Sequence, residues 1–158
     1  MGKEIERKYL IDEDKAWREI DGIVYRQGYL STVKERTVRV RIIGEKGFLT
    51  IKGITVGATR LEYEYEIPVE EAEELLDILC ERPLIEKKRR VIEFEGLTWE
   101  IDEFFGDNAG LILAEVELEG ENQGFAKPPW IAEEVTDDAR YFNANLVAHP
   151  YSQWEGSR

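Results

Sequence analysis

The chain has one cysteine, Cys80, and one histidine, His149, among 158 residues. An internal disulfide therefore cannot form, and a His-rich or thiolate metal centre is excluded. Any metal the protein binds must be held by oxygen, which favours Mg²⁺, Mn²⁺ or Ca²⁺ over Zn²⁺. There is no Walker-type Gly-x-x-x-x-Gly-Lys loop and no nucleophile elbow, so P-loop phosphate binding and covalent catalysis are disfavoured. Basic residues are also scarce: 21 Lys and Arg against 34 Asp and Glu leave a formal charge of -13, which argues against general binding to nucleic acid or to an anionic membrane. No apolar run approaches the length of a membrane span. Charges fall at every second or third position of the first twenty residues, unlike a signal peptide, and the expectation is a cytosolic protein. The length suits one domain, expected over residues 1–150, with a frayed tail at 151–158.

What the chain has in abundance is alternation. In the opening MGKEIERKYL, Glu4, Glu6 and Lys8 alternate with Ile5, Arg7 and Tyr9, the two-residue period of a β-strand. The same charge-against-apolar pattern recurs in Val38–Ile43, Phe48–Lys52, Arg60–Ile67, Ile85–Phe94, Thr98–Phe104 and Leu113–Glu119, and Ile23–Ser31 is rich in β-formers. Short turns at Gly44–Gly47, Glu95–Leu97 and Gly106–Gly110 suggest hairpins in an antiparallel meander. Helices are expected over Ile11–Ile20 and Val69–Glu81, and over Ala139–Ala148 behind a cap at Asp137 or Asp138. The second is the clearest, with Ala72, Leu75, Leu76 and Leu79 at i, i+3, i+4 and i+7. Cys80 is read as a packed free thiol, and the prolines of Lys127–Trp130 keep that stretch out of a central strand.

Lys8, Arg39, Arg41, Lys52, Arg60, Lys87 and Arg89 share the charged faces with Glu4, Glu6, Glu62, Glu64, Asp102, Glu115 and Glu117. An open sheet could turn those charges to water and pack its apolar face on helices. Three short helices cover so many strands poorly, however, and closure removes the exposed edges. The expected fold is therefore α+β: a closed eight-stranded antiparallel β-barrel with a charged lumen and a few helices outside. Fixed charge in a lumen is costly unless it is paired or serves a charged ligand. Seven cations suit phosphoryl oxygens, and the carboxylates suit hard divalent cations that bridge the same oxygens. In the run Glu86–Arg90 only one alternate pair can face inward; Lys87 and Arg89 are chosen because Arg90, Ile92 and Phe94 then share the outer face. Glu66 and Glu119 extend the inward rows toward a mouth, and His149 is given no role.

Glu4-x-Glu6-x-Lys8 resembles the E-x-E-x-K signature of the CYTH superfamily, the triphosphate tunnel metalloenzymes. The resemblance continues in family order through Gln27-Gly28-Tyr29-Leu30, Arg39-Val40-Arg41, Thr50-Ile51-Lys52, Arg60-Leu61-Glu62-Tyr63-Glu64, Lys87-Lys88-Arg89, Glu100-Ile101-Asp102, Ala114-Glu115-Val116-Glu117 and Glu134-Val135-Thr136. It is nearest to the small bacterial stand-alone members and implies an eight-stranded tunnel with metal-dependent hydrolysis of inorganic triphosphate. By that resemblance Lys8, Arg39, Arg41, Lys52, Arg60, Lys87 and Arg89 bind substrate. Glu4, Glu6, Glu115 and Glu117 hold Mg²⁺ or Mn²⁺, with Glu62, Glu64 and Asp102 as further ligands or water-orienting groups. The activating base stays open between a glutamate, with Glu64 a candidate, and Tyr29 paired with Lys8. The family's class IV adenylate cyclases and thiamine triphosphatases are alternatives, for which Trp17, Trp99 or Trp130 could stack on an organic base. A non-catalytic polyphosphate or nucleotide sensor is another. The partner expected is a small-molecule triphosphate, with neither nucleic acid nor membrane; a homodimer is compatible with these readings.

Overall fold

The alternating segments form nine strands in the structure, a computed structural model that describes residues 3–12 and 16–154. They are β1 (Lys3–Ile11), β2 (Gly22–Ser31), β3 (Arg36–Ile43), β4 (Lys46–Gly53), β5 (Thr59–Ile67), β6 (Ile85–Phe94), β7 (Leu97–Phe104), β8 (Ile112–Glu117) and β9 (Ile131–Glu134). Eight of them close into a ring in the order β1-β5-β4-β3-β2-β6-β7-β8, with β8 returning to β1 and every neighbouring pair antiparallel. The eight-stranded barrel expected from the alternation is therefore present. β9, which the prolines before it concealed, lies outside the ring on β1.

β1 carries the closure. One of its edges runs along β8 from Glu6 to Leu10. Its other edge is divided: Lys3–Ile5 pairs with Thr59–Leu61 of β5, and Tyr9 and Ile11 pair with Glu134 and Ile131 of β9. A further bond from the Glu6 N–H to the Ala58 carbonyl, 3.1 Å, extends the first of these seams.

The helix expected over Val69–Glu81 lies on the apolar outside, as expected, whereas Leu146 of the helix expected over Ala139–Ala148 packs on Tyr29, Ile85, Phe104 and Leu113 of the inward rows, and residues 142–145 border the space they enclose. All the helices are shorter than the periodicity predicts. α1 (Val69–Glu74) passes into a single π-helical turn at Leu75–Leu79, closed by the Cys80 N–H on the Leu75 carbonyl. A π turn widens the helix and shifts every later side chain around its axis. Ala72 and Leu76 stay buried against Val40 and Cys80, whereas Leu79, expected on the same stripe, is 63% exposed. Two glycines let this element sit close to the sheet: a Cβ on Gly47 would come within 2.7 Å of the Ala72 side chain, and one on Gly28 within 2.7 Å of Leu84 and 2.9 Å of Cys80. Cys80 is buried, as predicted.

The helix expected over Ile11–Ile20 is reduced to a 3-10 turn at Ala16–Glu19, because β1 runs on to Ile11; the acids expected to begin it include Glu13 and Asp14, outside the described residues. The helix expected over Ala139–Ala148 is two pieces, a 3-10 turn at Ala139–Tyr141 and α2 (Asn145–Ala148), and Asp138 caps the first by accepting from the Arg140 N–H. Within the stretch expected as tail, Tyr151–Gln153 forms another turn that seats Trp154, 4% exposed, against Tyr141 and Tyr151; residues 155–158 lie outside the described residues. Among the described residues no helix is long and apolar enough to cross a membrane.

Candidate active site

Because side chains directly opposite one another in an antiparallel pair share a face, the register places the charged rows of neighbouring strands together. Lys8 faces Glu115, Glu6 faces Glu117, Glu4 faces Arg60, Lys52 faces Glu62 and Arg89 faces Asp102. These rows line a cavity of about 440 Å³. Of the residues singled out from the sequence, Glu4, Glu6, Lys8, Tyr29, Arg39, Arg41, Lys52, Arg60, Glu62, Glu64, Lys87, Arg89, Glu115 and Glu117 all border it. The register choice at Glu86–Arg90 agrees: Lys87 and Arg89 border the cavity, while Arg90 donates to the Ile20 carbonyl and to Glu103 and lies over the Trp17 ring.

The lining is polarised. Arg39 and Arg41 share the Glu64 carboxylate at 3.7 and 2.9 Å, and the Thr50 hydroxyl donates to the same carboxylate at 2.6 Å. Burial works against the Glu64 charge, but the Thr50 hydrogen bond and Arg41 outweigh it and hold the carboxyl below its ordinary range, so Glu64 is a poor proton acceptor. Burial, then the neighbouring Arg39, lowers Arg41. Lys87 is almost wholly enclosed, and burial with Arg89 beside it pushes its ammonium down to about 8 against the pull of Asp102. Arg39 and Arg41 each keep a buried Nε–H with no hydrogen-bond acceptor, and that of Arg60 has only the Glu4 carboxylate at 3.7 Å. Donors left so are worth about 1–3 kcal/mol each to a ligand oxygen that reaches them.

On the other side carboxylates crowd. Burial, followed by the charge of Glu115, raises the Glu6 carboxyl, and burial followed by Glu4, Glu6 and Glu62 raises Glu117. Between the two regions Lys8 donates to Glu6 at 3.1 Å and to Glu115, which also accepts from Arg89 at 3.0 Å. Burial opposes the Glu115 charge, but Lys8, Arg89 and Lys87 together hold it well below the usual carboxylate range. Lys52 sits between Glu4, 2.9 Å, and Glu62, 3.3 Å.

Two expectations meet a different geometry. Asp102 does not border the cavity; it is fully buried and ion-paired with Lys87 at 2.8 Å and with Arg89 at 2.7 Å. Tyr29 borders the cavity but packs in the apolar cluster of Ile85, Phe104 and Leu146, while the Lys8 ammonium donates to Glu6 and Glu115 rather than pairing with it. The tryptophans considered for stacking are elsewhere: Trp17 and Trp99 belong to a core cluster with Tyr9 and Ile101, and Trp130 packs edge-on to Trp99.

Sequence reasoning also missed contributors. Glu100 lines the cavity and pairs with Arg89 at 3.2 Å; its place two residues before Asp102 was the signal. Asn143, from the segment before α2, accepts from Lys87 and from Gln27, each at 3.0 Å, and no periodicity announces it. Tyr25 lies under three of the cations, Arg41, Lys87 and Arg89.

The donor set for a metal is all carboxylate, which suits a hard divalent cation, and the mutual repulsion of Glu4, Glu6, Glu62 and Glu117 would be relieved by one. Among the described residues, however, no three carboxylates stand arranged as a ready cage. The lysines now on Glu4, Glu62, Glu6 and Glu115 occupy oxygens that a cation would use.

Comparison with known proteins matches the CYTH domain over residues 2–151. A curated inorganic triphosphatase from Acetivibrio thermocellus is 54% identical over 155 residues, covering 98% of this chain and 99% of the relative. Another, from Nitrosomonas europaea, is 39% identical over 148 residues, covering 91% and 96%. A crystal structure of an inorganic triphosphatase superposes with a TM-score of 0.67 at 36% identity, covering 93% of this chain and 95% of the other.

Proposed function

The chain belongs to the CYTH family, and from that premise we propose that it hydrolyses inorganic triphosphate to pyrophosphate and phosphate inside the barrel, with Mg²⁺ or Mn²⁺ as cofactor. The observation that carries this reading is the strain among the cations. Arg39, Arg41, Lys87 and Arg89 crowd one region, two of them lowered by burial and by one another, with arginine Nε–H donors unsatisfied. A ligand with several negative oxygens relieves all of this at once. Arginine forks match phosphoryl oxygens with paired donors, and lysine adds a compact charge.

Water attacking a terminal phosphorus in line forms one P–O bond and breaks one phosphoanhydride bond, so that pyrophosphate leaves. Such a reaction needs positioning and charge neutralisation more than covalent help. Arg39, Arg41, Lys87 and Arg89 hold the phosphoryl chain, with Lys52 and Arg60 further along the cavity. Lys8, between the two regions, turns from Glu6 and Glu115 toward a phosphoryl oxygen, freeing carboxylate oxygens. Glu4, Glu6, Glu62, Glu115 and Glu117 are the side chains that would hold the divalent cation, which when bound neutralises phosphoryl oxygens and polarises water. Asp102 acts from behind, holding Lys87 and Arg89 in place. Glu64 orients Arg39 and Arg41, and the Thr50 hydrogen bond and Arg41 that lower its carboxyl make it a weaker base than an ordinary glutamate.

Purified protein assayed with inorganic triphosphate, ATP and thiamine triphosphate, each with Mg²⁺ or Mn²⁺, tests the proposal. Inorganic triphosphate is expected to be cleaved fastest. Faster formation of cyclic AMP from ATP, or tight triphosphate binding with no phosphate released under either metal, overturns it.

A further inference from the structure

β2 is the one ring strand whose inward row carries no charge. The register puts Ile23, Tyr25, Gln27 and Tyr29 on that row, opposite Arg89, Lys87, Arg41 and Arg39 of its neighbours. It thus separates β3 and β6, the strands that carry Arg39, Arg41, Lys87 and Arg89. Tyr25 occupies the midpoint. The Arg89 guanidinium lies 4.9 Å from its ring centroid, that of Arg41 5.4 Å and the Lys87 ammonium 5.9 Å, so one ring meets three cations from both flanking strands.

The face of an aromatic ring is electronegative and attracts cations within about 6 Å without accepting a hydrogen bond from them. A carboxylate in the same place would also hold the three charges together, but it would consume N–H donors and cancel charge that a triphosphate needs. The ring itself takes up neither. Glu64 and Asp102 supply the hydrogen-bonded anchoring from the sides, on Arg41 and on Arg89 with Lys87 respectively.

We propose that Tyr25 is a positioning residue for substrate: its ring face gathers Arg41, Lys87 and Arg89 from two non-adjacent strands into one phosphate-binding set without itself occupying any of their N–H donors. This rests on the triphosphate reading. The hydroxyl has no part in it, and neither does the ring's apolar bulk.

Isothermal calorimetry with inorganic triphosphate, alongside KM, kcat and melting temperature, tests it on Tyr25→Phe and Tyr25→Leu. Tyr25→Phe keeps the ring face and is expected to bind within twofold of wild type. Tyr25→Leu keeps bulk without the face and is expected to raise Kd and KM by roughly tenfold, in line with cation–ring attractions of desolvated sites, with kcat changed much less and melting within a few degrees. Leucine binding at the wild-type affinity overturns the inference, as does phenylalanine binding as weakly as leucine. A leucine variant that loses affinity only in step with lost melting temperature assigns Tyr25 to packing and overturns it too. Wild-type protein that binds no triphosphate overturns the functional reading beneath it, which separates the two failures.

Discussion

Asp102 and Glu115 are both buried carboxylates beside the same arginine, yet they face different tasks. Asp102 is enclosed with Lys87 and Arg89 and touches no cavity space, so Asp102→Asn leaves two buried cations under-compensated. The expected loss is about 3–5 kcal/mol in chemical denaturation, as when one partner of a buried pair is removed, with the metal concentration for half-maximal activity unchanged. Glu115 borders the cavity, and Glu115→Gln is expected to lower activity and weaken metal dependence together; wild-type turnover and metal titration in that variant remove it from the metal-binding set. Cys80 gives a separate check on the outer packing. Burial pushes its thiol up to about 11. The thiol stays neutral in the fold, so alkylation at pH 8 is expected to be slow in native protein and fast in denaturant. The sign for stability follows. A thiol that ionises more readily unfolded costs the folded state stability as pH rises from the ordinary value of 9 toward 11.

α1 and its π turn separate what periodicity can and cannot tell. The apolar stripe located the helix and its buried residues Ala72 and Leu76, but the widened turn carries Leu79 into solvent. Leu76→Ala is expected to cost about 2–5 kcal/mol, and Leu79→Ala less than about 0.5 kcal/mol, measured by guanidinium unfolding. An ideal 3.6-residue repeat predicts similar losses. The strands were more legible, because a two-residue period with charge on one face leaves little freedom of register. In the all-charged run Glu86–Arg90, Lys87 and Arg89 were separable from Lys88 and Arg90 only through the apolar Ile92 and Phe94 that follow in phase with Arg90 and through the Lys-x-Arg pattern of the family. What stayed hidden was set by tertiary contact. Asp102 belongs to the inward row by parity, but its depth behind Lys87 and Arg89 depends on the packing of β6 against β7. Tyr25 reads as an ordinary β-former until the cations of two flanking strands are placed around it. Asn143 arrives from a turn with no period at all.

For the whole molecule, the cavity and the outside carry opposite tendencies. The chain bears a net charge of -13, while one region of the cavity holds cations that lower one another. Triphosphate alone, without metal, is expected to stabilise the fold; at about a hundred times Kd the gain is roughly 2.7 kcal/mol. For a domain of this size that corresponds to a melting shift of roughly 5–10 °C, measured by scanning calorimetry. The shift is expected to shrink in Arg41→Ala, which loses a phosphate fork.

The divided edge of β1 also sets an order in time. Residues 3–11 are made before every one of their partners, which lie at Thr59–Leu61, at Leu113–Glu117 and at Ile131–Glu134. Lys3–Ile5 can pair once β5 is made, but one edge of β1 waits for β8 and the rest of the other waits for β9. Long-range pairing of this kind pays loop-closure entropy late and slows folding. Synthesis that stops short of β8 leaves the ring open and Glu6 and Lys8 without Glu117 and Glu115 opposite them, so β1, made before its partners, is the strand on which the barrel shuts.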